Sequence, residues 1–322
     1  MADLLPPPPP WRSFDGGPLP EHDEPPADDG ETLRRLGPEY HVSERDIDPH
    51  EVDMVNAALF LRRPLLVTGR PGTGKSTLAY RIARELRLGQ VLRWSITSRT
   101  TLKQGLYSYD AIGRVQAAGT AGGDSDGPPI GEFVRLGPLG TAFLPRKLPR
   151  VLLIDELDKS EADLPNDLLS MFEEAQFPIP ELERVRARTR EVSVFTDDTD
   201  GAATIVDGRV KCNAFPMIVI TSNGEREFPP AFLRRCLQLE MKEPDVEQLA
   251  AMVAAHLPEI DGQDRPRLIQ EFVARSATSG GLPADKLLDA VYLATSGAYD
   301  ETDASWPRLL DALWRQLNSM VP

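Results

Sequence analysis

Four stretches of the chain read as strands: Pro64-Leu65-Leu66-Val67-Thr68, Val91 to Thr97, Val151-Leu152-Leu153-Ile154 and Met217-Ile218-Val219-Ile220. All but the second, which carries Arg93 and Ser95, are essentially continuous apolar runs. Strands that read as continuous hydrophobic runs are buried on both faces, the signature of a parallel sheet covered by helices. Between them the apolar positions recur at helical spacing. Val52, Val55, Ala58, Leu59 and Phe60 mark a helix from His50 to Leu61, Leu78, Ile82, Ala83 and Leu86 mark one from Thr77 to Leu88, and a third runs from Leu164 to Ala175. From Pro244 onward the pattern is helical throughout, over Val246 to Leu257, Arg267 to Arg275, Ala284 to Thr295 and Arg308 to Met320. The expectation is an α/β core over residues 38–243, a parallel sheet flanked by helices, followed by a small all-helical domain over 244–322.

Two segments break this regularity. The stretch from Ser98 to Pro149 has a Gly/Asp-rich centre and reads as an insertion near 108–132. Arg184, Arg186, Arg188 and Arg190 alternate with Val185, Ala187 and Thr189, and Ala203 to Lys211 is again extended, so a β-hairpin with one basic face is expected near 184–212. That face reads either as solvated or as a substrate surface. The first 37 residues carry nine prolines within thirty positions, many acids and few aliphatics, and are expected to be a disordered arm. Its Pro6 to Pro10 run before Trp11 reads as a linker or as a polyproline II ligand.

The chemistry concentrates at the strand ends. Gly69-Arg70-Pro71-Gly72-Thr73-Gly74-Lys75-Ser76, followed by Thr77, fits G-x-x-x-x-G-K-S between the first strand and its helix. Glycines there let backbone N–H groups turn inward around phosphates, Lys75 adds a mobile charge, and Ser76 is the expected Mg²⁺ ligand at a helix N-terminus. Asp155 and Glu156 end the third strand, where Asp155 can hold Mg²⁺ and Glu156 can deprotonate an attacking water. Asn223, at the end of the fourth, suits a γ-phosphate or water sensor. Arg234 and Arg235 follow a short helix, from which a guanidinium can reach a neighbouring active site. ATP and Mg²⁺ are therefore the expected ligands.

Charge and composition narrow the partners. A net charge of −14 over 322 residues argues against nucleic acid and against an anionic membrane surface. Two cysteines, Cys212 and Cys236, give no disulfide framework, and the four histidines, His22, His41, His50 and His256, lack zinc spacing. With neither signal peptide nor membrane-length apolar run, a cytoplasmic protein is expected.

These motifs, in this order, resemble the AAA+ ATPase superfamily and within it the MoxR-type branch, with McrB-like groups nearby. The similarity runs from about Tyr40 to the C-terminus. It rests on GRPGTGKST (69–77), VLLIDELDKS (151–160), ITSNGEREFPPAFLRRC (220–236) and the helices beyond. The resemblance implies a P-loop NTPase core with a helical lid, Lys75 and Ser76 on the phosphates and Mg²⁺, Asp155 on Mg²⁺, Glu156 as base and Asn223 as sensor. It also implies Arg235, with Arg234 behind it, acting in trans within a homo-oligomer of hexameric form. Relatives of that branch act as chaperones or remodellers, often beside proteins with von Willebrand A domains. Where relatives carry a sensor arginine, this chain has Gly281-Leu282-Pro283-Ala284-Asp285-Lys286, and Lys286 is the residue open to that role. Tyr107 and Tyr109 read either as pore aromatics or as core. A slow-hydrolysing ATP-dependent switch and a P-loop small-molecule kinase remain as alternatives, and a DNA-translocating motor rests on the arginine hairpin alone.

Overall fold

The computed structural model describes residues 5–20, 24–27, 30–40, 48–120, 128–257, 264–279, 282–296 and 305–314. The chain enters through α1 (Glu31–Leu36) and α2 (Pro49–Leu61), then β1 (Leu65–Thr68), α3 (Lys75–Glu85) and β2 (Leu92–Ser95). The next region folds as α4 (Leu102–Leu106), β3 (Tyr107–Tyr109), α5 (Ala111–Thr120), β4 (Val134–Leu136) and α6 (Pro138–Ala142). After β5 (Val151–Asp155) come α7 (Asp163–Glu174), β6 (Gln176–Pro178), α8 (Pro180–Glu183), β7 (Glu191–Phe195), β8 (Ala202–Val206) and β9 (Arg209–Lys211). β10 (Met217–Ser222), α9 (Pro230–Leu233) and β11 (Leu237–Glu240) complete the core, and α10 (Val246–His256), α11 (Asp264–Ser279), α12 (Asp285–Thr295) and α13 (Trp306–Leu313) follow.

The core sheet is wholly parallel, in the order β11-β1-β10-β5-β2. Alternate side chains of each buried strand serve opposite faces. Leu65, Val67, Val151, Leu153 and Val219 pack with α2 and α3, whereas Leu66, Leu152, Ile154, Ile218 and Ile220 pack towards α6, α7 and a second sheet. Every strand therefore has its carboxyl end at one edge, where the ends of β1, β5 and β10 bring three motifs together. The helices α10–α13 close over their own core of Leu249, Phe272, Leu287, Val291, Trp306 and Trp314, with Phe272 edge-on to Trp314 at 5.6 Å.

Three expectations are corrected. Residues 98–149 do not form a simple insertion loop: with the segment after α7 they build a six-stranded sheet, β3-β4-β7-β8-β9-β6. Glycines 119–131 lie partly outside the described residues. The arginine run is not a strand. Arg184, Val185, Arg188 and Thr189 donate their N–H groups three or four residues back, so the segment is helical turn and the hairpin begins only at Glu191. The apolar partners in the run are a half-buried Val185 and an exposed Ala187, too little to hold a strand against a sheet.

The proline-rich arm is docked over its described residues. Arg12 is buried, Phe14 stacks on Phe215 at 5.4 Å, and the N–H of Gly16 donates to the Cys212 carbonyl at 2.9 Å. In place of aliphatic burial, a guanidinium and one aromatic ring anchor it.

Candidate functional site

The phosphate loop hangs between β1 and α3. Gly69, Gly72 and Gly74 adopt φ of 145°, 82° and 83°, a region that favours glycine. Gly74 is also the N-cap of α3, without a side-chain cap, so the first N–H groups of that helix face the loop. At Gly72 a second constraint applies: a Cβ there would sit 2.2 Å from the Cα of Pro283, just ahead of α12. The loop thus lies directly beneath the C-terminal helical unit. Arg70 reaches Glu243, in the connection to that unit, at 2.7 Å. Pro71 is exposed at the tip, Thr73 is buried with its hydroxyl on the Arg70 carbonyl at 2.9 Å, and Thr77 is half-buried on the first turn of α3.

Lys75 is buried, and its Nζ donates to the carbonyls of Gly69 and Arg70 at 2.7 and 2.8 Å. Burial holds its ammonium below the ordinary value, opposed by the carboxylates of Asp158, Asp155 and Glu156. Those carboxylates put one concentrated negative field at the loop.

Ser76 and Asp155, 79 positions apart, meet directly: the hydroxyl donates to Oδ1 at 2.6 Å. The same Oδ1 accepts from the Thr221 hydroxyl at 2.8 Å, and Oδ2 accepts from Arg93 at 2.9 Å. Burial pushes the Asp155 carboxyl up, but hydrogen bonds from Ser76, Thr221 and Arg93 outweigh it and hold the group below the usual carboxylate range. An alcohol and an ionised carboxylate in contact are hard oxygen donors, fit for an ion such as Mg²⁺ that keeps several waters and takes the rest of its shell from phosphate. Among the described residues no cluster of three or more His, Cys, Asp or Glu suits a metal.

Glu156 has φ of 63°, uncommon for a residue with a side chain and of a kind that collects at functional sites. Thr221 holds it there, accepting the Glu156 N–H at 2.8 Å while donating to Asp155. The Glu156 carboxylate pairs with Lys159 at 2.7 Å, both half-exposed. Asn223 follows β10, and its backbone N–H and that of Glu225 donate to Oδ2 of Asp158 at 2.9 and 3.1 Å. Asp158 is 3% exposed, and its Oδ1 has no partner among the described residues.

The arginines lie apart from this group. Arg234 is exposed, while Arg235 is half-buried and held by Glu173 at 2.8 Å and by the Ala231 carbonyl at 3.2 Å. Tyr107 is core: it is buried, parallel to Phe177 at 6.5 Å, with its hydroxyl on Glu181 at 2.9 Å. Lys286 is half-buried in the first turn of α12, its carbonyl accepting from Trp314. Sequence reasoning did not single out Thr221, Asp158 or Arg93. The polar end of β10 and the third acid of VLLIDELDKS were signals for the first two; nothing marked Arg93 on β2.

A glycine-rich loop whose hydroxyl meets the carboxylate of a neighbouring strand, at the carboxyl edge of a parallel sheet, defines a P-loop NTPase. The family described as the AAA domain, dynein-related subfamily, matches residues 64–236, more than half of the chain, and the chain belongs to that family. Among solved structures it is similar to NtrX from Brucella abortus in complex with ADP, at 13% identity and a TM-score of 0.43 over 83% of this chain and 54% of that one. It is also similar to the RuvB Holliday junction branch migration motor of Thermotoga maritima, at 16% identity and a TM-score of 0.42 over 88% and 73%. The chain thus spans about half the length of the NtrX chain. No curated protein matches it. Among the described residues no helix is long and apolar enough to cross a membrane.

Proposed function

We propose that the protein is a Mg²⁺-dependent ATPase of the MoxR-type branch that works as an oligomer and remodels or chaperones a partner protein. The observation that carries this reading is the 2.6 Å contact between Ser76 and Asp155, which joins the phosphate loop to the acidic strand end. Lys75 would leave its two carbonyls for the β- and γ-phosphates, and Ser76 and Asp155 would hold Mg²⁺, which neutralises charge on the transferring phosphoryl group. Glu156 would take the proton of the attacking water, and Asn223 would orient that water. Arg235 would complete the site of an adjacent subunit in a ring of hexameric form. The contact of Gly72 with Pro283 and the ion pair of Arg70 with Glu243 support a path from phosphate to lid, residues 244–322, by which turnover would move the lid and the client. A client with a von Willebrand A domain and a cytoplasmic site belong to the same reading.

A second reading, a slow switch whose output is nucleotide state, is favoured by one observation. The Glu156 carboxylate is engaged by Lys159 at 2.7 Å, and a base occupied by an ammonium is a poor base.

ATP turnover measured against protein concentration, with mass followed by light scattering, separates the two for wild type and Glu156→Gln. Turnover per subunit that rises with assembly and vanishes in Glu156→Gln supports the motor. Tight binding with negligible turnover in both, relieved by Lys159→Ala, supports the switch.

A further inference from the structure

We infer that Glu173 is a positioning residue for Arg235, and that the proline-rich arm sets Glu173 through Arg12. The inference rests on the reading of Arg235 as the arginine that acts on a neighbouring site, and it assigns a role to the arm.

The arm lies as a strap across two helix ends. The Arg12 guanidinium donates through Nε and Nη2 to the carbonyl of Arg62, the C-cap of α2, and through Nη1 to the carbonyl of Phe172 at 2.8 Å, in the last turn of α7. Carbonyls at helix C-termini lack intrahelical donors and carry the negative end of the helix dipole, so one buried cation serves both ends. Its plane lies over Phe215, 4.8 Å from the ring centroid. Pro6 accepts from Arg62, Asp15 pairs with Lys211 at 2.6 Å, and a Cβ at Gly16 would stand 2.0 Å from the Lys211 carbonyl oxygen, so both flanks of Arg12 are tied down.

The residue after Phe172 is Glu173, whose carboxylate stands between two cations. Oε2 lies 3.5 Å from Arg12 Nη1, and Oε1 accepts from Arg235 Nε at 2.8 Å. Arg235 Nη1 donates to the Ala231 carbonyl at 3.2 Å, which leaves Nη2 without a partner among the described residues. Phe172 packs on Phe232 at 6.3 Å, so α7 and α9 are in contact beneath the pair. A guanidinium held by Nε and Nη1 presents its remaining nitrogen in one direction, with its freedom already lost before a neighbour's phosphate arrives. Arg12 keeps the Glu173 carboxylate where it does this.

The test is steady-state ATP turnover of the full chain at a concentration where light scattering shows assembly complete. Glu173→Ala should lower kcat on the order of ten- to a hundredfold, as misplacement of a reacting group does, with KM, mass and thermal midpoint unchanged. Glu173→Gln, which still accepts from Nε, should recover part of the loss. Arg12→Ala should lower kcat in the same direction and add nothing to Glu173→Ala in the double variant. Wild-type kcat in Glu173→Ala while Arg235→Ala is inactive would overturn the inference and leave the reading of Arg235 standing. Full turnover in Arg235→Ala would overturn both, and additive losses from Arg12 and Glu173 would remove the arm from the arrangement.

Discussion

At the scale of single residues the site is a set of polar atoms, most of them held by another. Lys75→Ala removes the only ammonium in the loop and should weaken ATP binding by about 1.5–3 kcal/mol, ten- to a hundredfold in Kd, as read by calorimetry. Thr221 makes a different prediction, because its hydroxyl serves two masters. Thr221→Val leaves the Glu156 N–H without its acceptor and Asp155 with one donor fewer, and should destabilise by about 1–3 kcal/mol in urea unfolding. The pH dependence has a definite sign. Asp155 is depressed in the folded protein, so its hydrogen bonds contribute fully above the unfolded carboxylate value and are lost as pH falls through the folded one. The gap between wild type and Thr221→Val should be widest at neutral pH and narrow below about pH 4. The residues that touch phosphate in such loops were legible because glycine spacing and a lysine are local features. Thr221, Asp158 and Arg93 were not, since each acts on a residue more than 60 positions away.

Secondary-structure elements were legible in proportion to their burial. Continuous apolar runs identified the inner strands β1, β5 and β10, and periodicity identified α2, α3, α7 and α10, because full burial on two faces or on one helical stripe leaves an unambiguous pattern. Most of the second sheet escaped notice: its strands are three to five residues long and half-exposed, and beyond the local β7-β8-β9 ladder they pair across distant segments, β4 with β7 and β6 with β9. The arginine run misled because alternate charges on a turn imitate the period of a strand. The arm misled for another reason, since composition counts aliphatic residues and not the two helix ends that one guanidinium can satisfy. Its docking can be tested through the thiols. Burial pushes both Cys212 and Cys236 up to about 12, so neither should react with a thiol reagent at pH 8 in the native protein. Deletion of residues 1–20 uncovers the backbone around Cys212 alone. Mass spectrometry should then find Cys212 labelled and Cys236 still protected; equal protection of both would show that the arm does not cover this region.

In the molecule as a whole, the phosphate loop, the helical unit above it and the arginine on α9 occupy separate surfaces. Lys75, Ser76, Asp155 and Glu156 gather at one sheet edge, whereas Arg235 is turned away from them and held by Glu173. On the proposed reading, such an ATPase depends on its neighbour, so its activity would be a property of the assembly. The family was legible from four motifs in order, because three of them include strand ends that the parallel topology brings to a common edge. Partner surfaces were not, since no local pattern marks them. The most direct measurement mixes two variants, each inactive alone: Glu156→Gln, which keeps the arginine, and Arg235→Ala, which keeps the base. Turnover in the mixture well above the sum of the separate variants is the predicted result, since some interfaces then join an intact glutamate to an intact arginine. A mixture as inactive as its components, in rings that light scattering shows to be mixed, would contradict a site shared between neighbours.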